Sequence, residues 1–250
     1  MRDTSRHATG RRASWVHGMP AVIELLLGLC LVGLLVETLQ WHLAAPPGLG
    51  WTVGGVYLAM AVMIVWGWPV ALRWLGWANR VTLLRGALIA LLAGSMAFPT
   101  FMQRHTLEMV GLALLALCLD GLDGWVARHT HSTTAFGARF DMELDAFFIA
   151  VLCCALVVLD KLGGWVLLCG ALRYVFVAAG YAWTWLRRPL PSSLRRKVIC
   201  VWQVISLLAA LLPWVSTFWA MLSVGLALVL LLYSFMSDVA WLYRRRRMCV

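Results

Sequence analysis

Charge is what this sequence has least of. Only 13% of its 250 residues are Asp, Glu, Lys or Arg, and just 11 are acidic. An ordinary soluble domain carries about twice that charged share. With 62% hydrophobic residues and a mean hydropathy of +0.84, a soluble domain is excluded and a polytopic membrane protein is indicated. The chain also lacks a long linker, a low-complexity tract and an evident internal repeat. Its seven cysteines form no CxxC pair, and all but Cys249 lie in or beside apolar runs. They read as reduced thiols serving as small hydrophobes. The net charge of +10 does not imply a nucleic-acid partner, because the basic residues fall in short clusters between apolar runs. They form no basic face and belong to no nucleic-acid motif.

What is present is a series of apolar runs long enough to cross a bilayer, for which about 20 residues suffice. Eight are visible, at 21–39, 52–72, 81–98, 107–126, 137–159, 163–186, 198–214 and 219–242. The expected fold is therefore an all-α integral membrane protein of about eight helices. Turn residues mark the short connections, as at Pro46-Pro47-Gly48 and Pro189-Leu190-Pro191. The first run exceeds the apolar core of a cleaved signal peptide and reads as an uncleaved span. Placing both termini in the cytoplasm puts 16 of the 21 basic residues inside and only Arg104 and Lys161 outside, as the positive-inside rule requires. Arg85, Arg139 and Arg173 then fall within spans.

Against this background, four aspartates in or beside apolar runs need a reason. A carboxylate at bilayer depth costs ~2.5–3.5 kcal/mol on insertion scales. The frame is Asp120-Gly121-Leu122-Asp123-Gly124-Trp125-Val126-Ala127-Arg128, followed after eight residues by Gly137-Ala138-Arg139-Phe140-Asp141-Met142-Glu143-Leu144-Asp145. Spacings of three and four residues put each pair on one helix face. Two such helices joined by a short loop can aim all four carboxylates into one cleft. Unpaired, they would repel one another and take up protons. Divalent cations resolve that conflict, and all-oxygen ligands suit Mg²⁺ or Mn²⁺. Glu143 lies about 200° round the helix from Asp141 and is expected to face away. His129 and His131 read as solvated loop residues rather than a metal pair. Asp238 is expected to pair with nearby arginines.

The aspartate frame resembles the signature of the CDP-alcohol phosphotransferases (CDP-alcohol phosphatidyltransferases). Eight positions agree in residue and spacing: Asp120, Asp123, Gly124, Ala127, Arg128, Gly137, Asp141 and Asp145. The family's first core span often opens Pro-Asn-x-x-Thr-x-x-Arg. Here Asn79, Thr82 and Arg85 fit and the proline is replaced by Ala78. The resemblance implies a six-helix core at 78–243, preceded by an extra transmembrane hairpin at 21–77. Basic cytoplasmic tails at 1–20 and 244–250 would flank them. For the hairpin, filling bilayer around the core is the first reading, with dimerisation and lipid access as alternatives. The resemblance further implies that Asp120, Asp123, Asp141 and Asp145 hold two divalent ions, Mg²⁺ or Mn²⁺. Asp145 would also act as general base, with Gly124, Arg128, Asn79 and Thr82 on the CDP portion. The implied reaction moves a phosphatidyl group from CDP-diacylglycerol to an alcohol and releases CMP. It would run at the cytoplasmic face of a membrane, most simply a bacterial inner membrane.

Family members commonly carry lysine after the last aspartate, where this chain has Ala146. Glycerophosphate-using members carry Gly-Lys with Gln six residues after the lysine. Lys197 and Gln203 keep that spacing, with Arg196 in place of the glycine. Arg173, mid-span, needs an anionic partner, and a phosphorylated acceptor would supply one. Arg173, Arg139, Lys197 and Arg196 are therefore the expected acceptor-binding residues, and glycerol 3-phosphate the favoured acceptor. The rival readings are an unphosphorylated alcohol, an inactive member serving as scaffold or lipid binder, and an ion-coupled transporter with a buried carboxylate path. Against the transporter, the chain shows no inverted repeat.

Overall fold

In hydrocarbon a backbone must satisfy its own N–H and C=O groups, so each long apolar run is driven to form a helix. The computed structural model describes residues 6–67, 76–129, 135–187 and 193–247, with side chains for 23–65, 81–122, 137–183, 185–186 and 193–244. The helices are α1 (Arg6–Leu43), α2 (Leu49–Gly67), α3 (Gly76–Ser95), the short α4 (Pro99–Arg104), α5 (Thr106–His129), α6 (Ala135–Val158), α7 (Leu167–Ala182), α8 (Leu194–Leu211) and α9 (Thr217–Arg247). Single 3₁₀ turns precede and follow α7, at Gly164–Val166 and Thr184–Arg187. There is no strand among the described residues. Apart from α4, each helix coincides with one of the eight expected spans.

The protein is thus all-helical and membrane-embedded. The stretches Ile23–Leu43, Gly164–Ala182 and Thr217–Arg244 are long and apolar enough to cross a membrane, while Leu49–Val65 and Val81–Ser95 are apolar but shorter. Helices α5, α6 and α8 are interrupted by charged residues, and those interruptions hold the candidate chemistry. Helix α1 starts at Arg6, so most of the segment expected as a tail is helical. Its 38 residues span about 57 Å, well beyond the bilayer core of about 30 Å. Helix α9 likewise runs on through Arg247.

Two units are distinguished, 1–105 with 111–144 and 106–110 with 145–250. In the first, α1, α2 and α3 pack on one another, with Leu49, Val53, Ala87, Ile89 and Leu91 fully buried. Small residues allow this closeness. A Cβ at Gly94 would lie 2.7 Å from the Val53 backbone nitrogen, and Thr52 Oγ1 donates to the Gly94 carbonyl at 3.0 Å. Tyr57 Oη donates to Leu25 O at 3.1 Å, tying α2 to α1. Trp41 and Trp51, each 86% exposed, lie near the helix ends, where indoles favour the membrane interface.

In the second unit α8 packs along α9 around Leu207, Ala210, Ala220, Val224 and Ala227. Gly170 on α7 comes so close to α6 that a Cβ there would be 3.0 Å from Ala150 Cα. In the turn that follows helix α6, Asp160 takes a left-handed φ of 52°. The Lys161 and Leu162 amides both return to the Leu156 carbonyl, at 3.0 and 3.2 Å, and a short polar side chain tolerates that conformation well. Lys161 donates to Leu212 O, and burial pushes its ammonium below the ordinary lysine range. In both units large apolar side chains face outward, among them Leu27, Met63, Val229 and Met236, as lipid contact requires.

Candidate functional site

Within the first unit, three helices bring opposite charges together. Asp120 on α5 and Asp141 on α6 each accept from the same nitrogen of Arg85 on α3, Nη1, at 2.6 and 2.8 Å. The Arg85 side chain is 1% exposed, against 35% and 38% for the two aspartates. The guanidinium is therefore sealed in, while the carboxylates keep an open side. Thr82 is buried one turn earlier on α3.

A carboxylate oxygen of Asp120 lies within 4.8 Å of one of Asp141. Asp145 follows one turn later on the same continuous helix, and its oxygen lies within 4.8 Å of that of Asp141. All three residues are half-buried. The donors are oxygen only, the set that hard divalent cations such as Mg²⁺ or Mn²⁺ prefer. The residues present therefore fit the expected ions. Glu143 is exposed and lies outside this group among the described residues. Asp123, Gly124 and Arg128 continue α5, and Asn79 lies at the start of α3. Their side chains fall outside those described, as does that of His129, while His131 is outside the described residues altogether.

A second feature belongs to the other unit alone. A cavity of about 300 Å³ is lined by Ala146 and Ile149 of α6, by α7, α8 and α9, and by Arg173, Arg196, Gln203 and Asp238. Gln203 is 2% exposed and donates through Nε2 to the Cys169 carbonyl at 3.1 Å, bridging α8 to α7. Asp238 on α9 is 8% exposed. It accepts from Arg195 Nη2 at 2.7 Å and from Arg196 Nη1 at 3.2 Å, the arginine pairing expected for it. Arg195 also donates to Ser237 Oγ and stands 5.7 Å from the centre of the Tyr233 ring. The cavity's charged lining residues are thus two arginines and one aspartate.

Of the four expected acceptor residues, Arg173 and Arg196 thus line one cavity. Lys197 is exposed and not part of that lining, and Arg139 is exposed on α6. Asp145 immediately precedes Ala146 and stands one turn before Ile149 on α6, and is not itself part of the lining. Arg85 is the residue whose part in the site spacing did not reveal. The signal for it was an arginine inside an apolar run with no acidic neighbour on its own helix.

A family model described as CDP-alcohol phosphatidyltransferase matches residues 75–236, close to two thirds of the chain. No curated protein and no solved structure gives a significant match.

Proposed function

The chain belongs to the CDP-alcohol phosphatidyltransferase family, and from that premise we propose that it moves a phosphatidyl group from CDP-diacylglycerol to a phosphorylated alcohol such as glycerol 3-phosphate, releasing CMP in phospholipid synthesis. The observation that carries this reading is the carboxylate group, in which oxygens of Asp120 and Asp145 each come within 4.8 Å of one on Asp141. Asp120, Asp123, Asp141 and Asp145 would hold two divalent cations, Mg²⁺ or Mn²⁺. Such ions, when bound, neutralise phosphate oxygens and stabilise a departing phosphate. Gly124, Arg128, Asn79 and Thr82 would hold the CDP portion. Asp145 takes the proton from the acceptor hydroxyl. The freed oxygen forms a bond to the lipid-linked phosphorus as the anhydride bond to CMP breaks. The catalytic core is α3 with α5–α9, and α1 and α2 form an added hairpin. Both termini and the site face the cytoplasm.

For the acceptor, the cavity beside Ala146 supports a phosphate. Where family members commonly place a lysine, this chain has a small apolar residue, and the positive charge comes instead from Arg173 and Arg196. Arginine receives phosphate through two parallel hydrogen bonds. Arg139 and Lys197 would complete the basic surroundings from more exposed positions.

The test is CMP release from CDP-diacylglycerol by purified protein across a panel of alcohols. Release should require Mg²⁺ or Mn²⁺, be fastest with a phosphorylated acceptor, and fall at least about 10²-fold in Asp145→Asn, the typical scale of general-base loss. Equal rates with EDTA would remove the metal assignment. A preference for serine or free inositol would remove the acceptor.

A further inference from the structure

Arg85 presents one nitrogen to two carboxylates from two other helices, at 2.6 and 2.8 Å, and is itself shut away from solvent. A cation using those oxygens would meet a guanidinium already there, and like charges a few ångströms apart repel strongly where water is scarce. A buried arginine that loses its carboxylates must find another anion, because an uncompensated charge at that depth is not tolerated. If the ions hold the donor nucleotide as proposed above, the anion arriving with them is its diphosphate. A planar guanidinium is well shaped to receive it.

We propose that Arg85 is a positioning residue that exchanges partners. It neutralises Asp120 and Asp141 in the resting enzyme, and it transfers to the donor's diphosphate as divalent ions take the carboxylates. Arg85 thereby keeps ion affinity low in the absence of nucleotide and makes ion and nucleotide bind cooperatively. By thermodynamic reciprocity, each raises the affinity of the other by the same factor. This inference rests on the metal-site reading of the aspartates. A guanidinium that only braces three helices would stabilise the fold without altering that factor.

The experiment is Mn²⁺ binding to detergent-purified protein, read by the electron paramagnetic resonance of free Mn²⁺. It is run with and without CDP and corrected for Mn²⁺ held by CDP itself. Arg85→Gln should bind Mn²⁺ alone at least about tenfold tighter than the wild type, with the gain from added CDP at least about threefold smaller. Unchanged or weaker Mn²⁺ binding in this variant, or an undiminished gain from CDP, overturns the proposal. Arg85→Gln leaves two carboxylates without their counter-charge and can fail to fold, so Arg85→Lys is measured beside it. Lysine keeps the charge but not the fork, and should bind Mn²⁺ alone about threefold tighter than the wild type. Affinity at or below the wild-type value in folded Arg85→Lys also overturns the proposal. Folded wild-type protein that binds no Mn²⁺ even with CDP removes the metal-site reading together with the inference. Wild-type binding with both variants unchanged removes the Arg85 role alone.

Discussion

A poorly solvated arginine gains from a nearby anion, and the described arginines differ in what stands beside them. Arg85 takes two carboxylates of the aspartate group, those of Asp120 and Asp141. Arg195 and Arg196 share Asp238. Arg173 stands on the lining of a cavity together with Arg196 and Asp238. If that cavity receives the acceptor's phosphate, Arg173→Ala removes charge-assisted hydrogen bonds worth about 1.5–3 kcal/mol. The KM for the phosphorylated acceptor should then rise about 10- to 100-fold, while that for CDP-diacylglycerol stays within about twofold. Steady-state kinetics with each substrate varied in turn will decide, and an unmoved acceptor KM leaves the phosphate pocket without support. The aspartates were legible in sequence because their spacing is local to two helices. The Arg85 pairing was not, because its partner Asp141 is 56 residues away and nothing in spacing reports which helices face one another. The Asp238 pairing was anticipated because several arginines lie near it under any short-loop topology.

Among the helices, α3, which carries Arg85, is held closely against α2. Gly94 has no room for a side chain against the Val53 backbone, and Thr52 closes the same contact with its hydroxyl. Backbone atoms cannot step aside as a flexible side-chain end can. Gly94→Val should therefore cost about 1–3 kcal/mol by overpacking, seen as a lower melting temperature in detergent. Gly86→Ala is the contrasting case, since it meets only the mobile end of Met60, and should melt within about 2 °C of the wild type. Equal losses at both positions would show that this packing does not set the α3 position. All eight long helices among the described residues were visible as apolar runs, yet the ends of α1 and α9 were not. Hydropathy reports which residues suit lipid, whereas a helix continues through any residues compatible with it, here through Arg11, Arg12 and Arg244. The short α4 escaped for the opposite reason: six residues after Phe98 are too few to leave a periodic signal.

For the chain as a whole, charge distribution sets the orientation. With the eight crossings expected from hydropathy both termini would share one face, the one on which the basic residues crowd. A fluorescent reporter fused to either terminus should be active in the cytoplasm, and a cysteine placed beside Lys161 should react with an impermeant thiol reagent from the opposite face. Labelling of that cysteine only after the membrane is opened would invert the topology. The clasp of Asp238 on Arg195 and Arg196 has a consequence for how the protein is made. Helix α8 opens with three consecutive cations, Arg195, Arg196 and Lys197, which flank the expected span at 198–214 rather than lie within it. Asp238, the partner of the two arginines, is synthesised 43 and 42 residues after them, on the last helix. The charge of Arg195 and Arg196 is therefore balanced only once the last helix has been made, and the link between the final two helices closes at the end of synthesis.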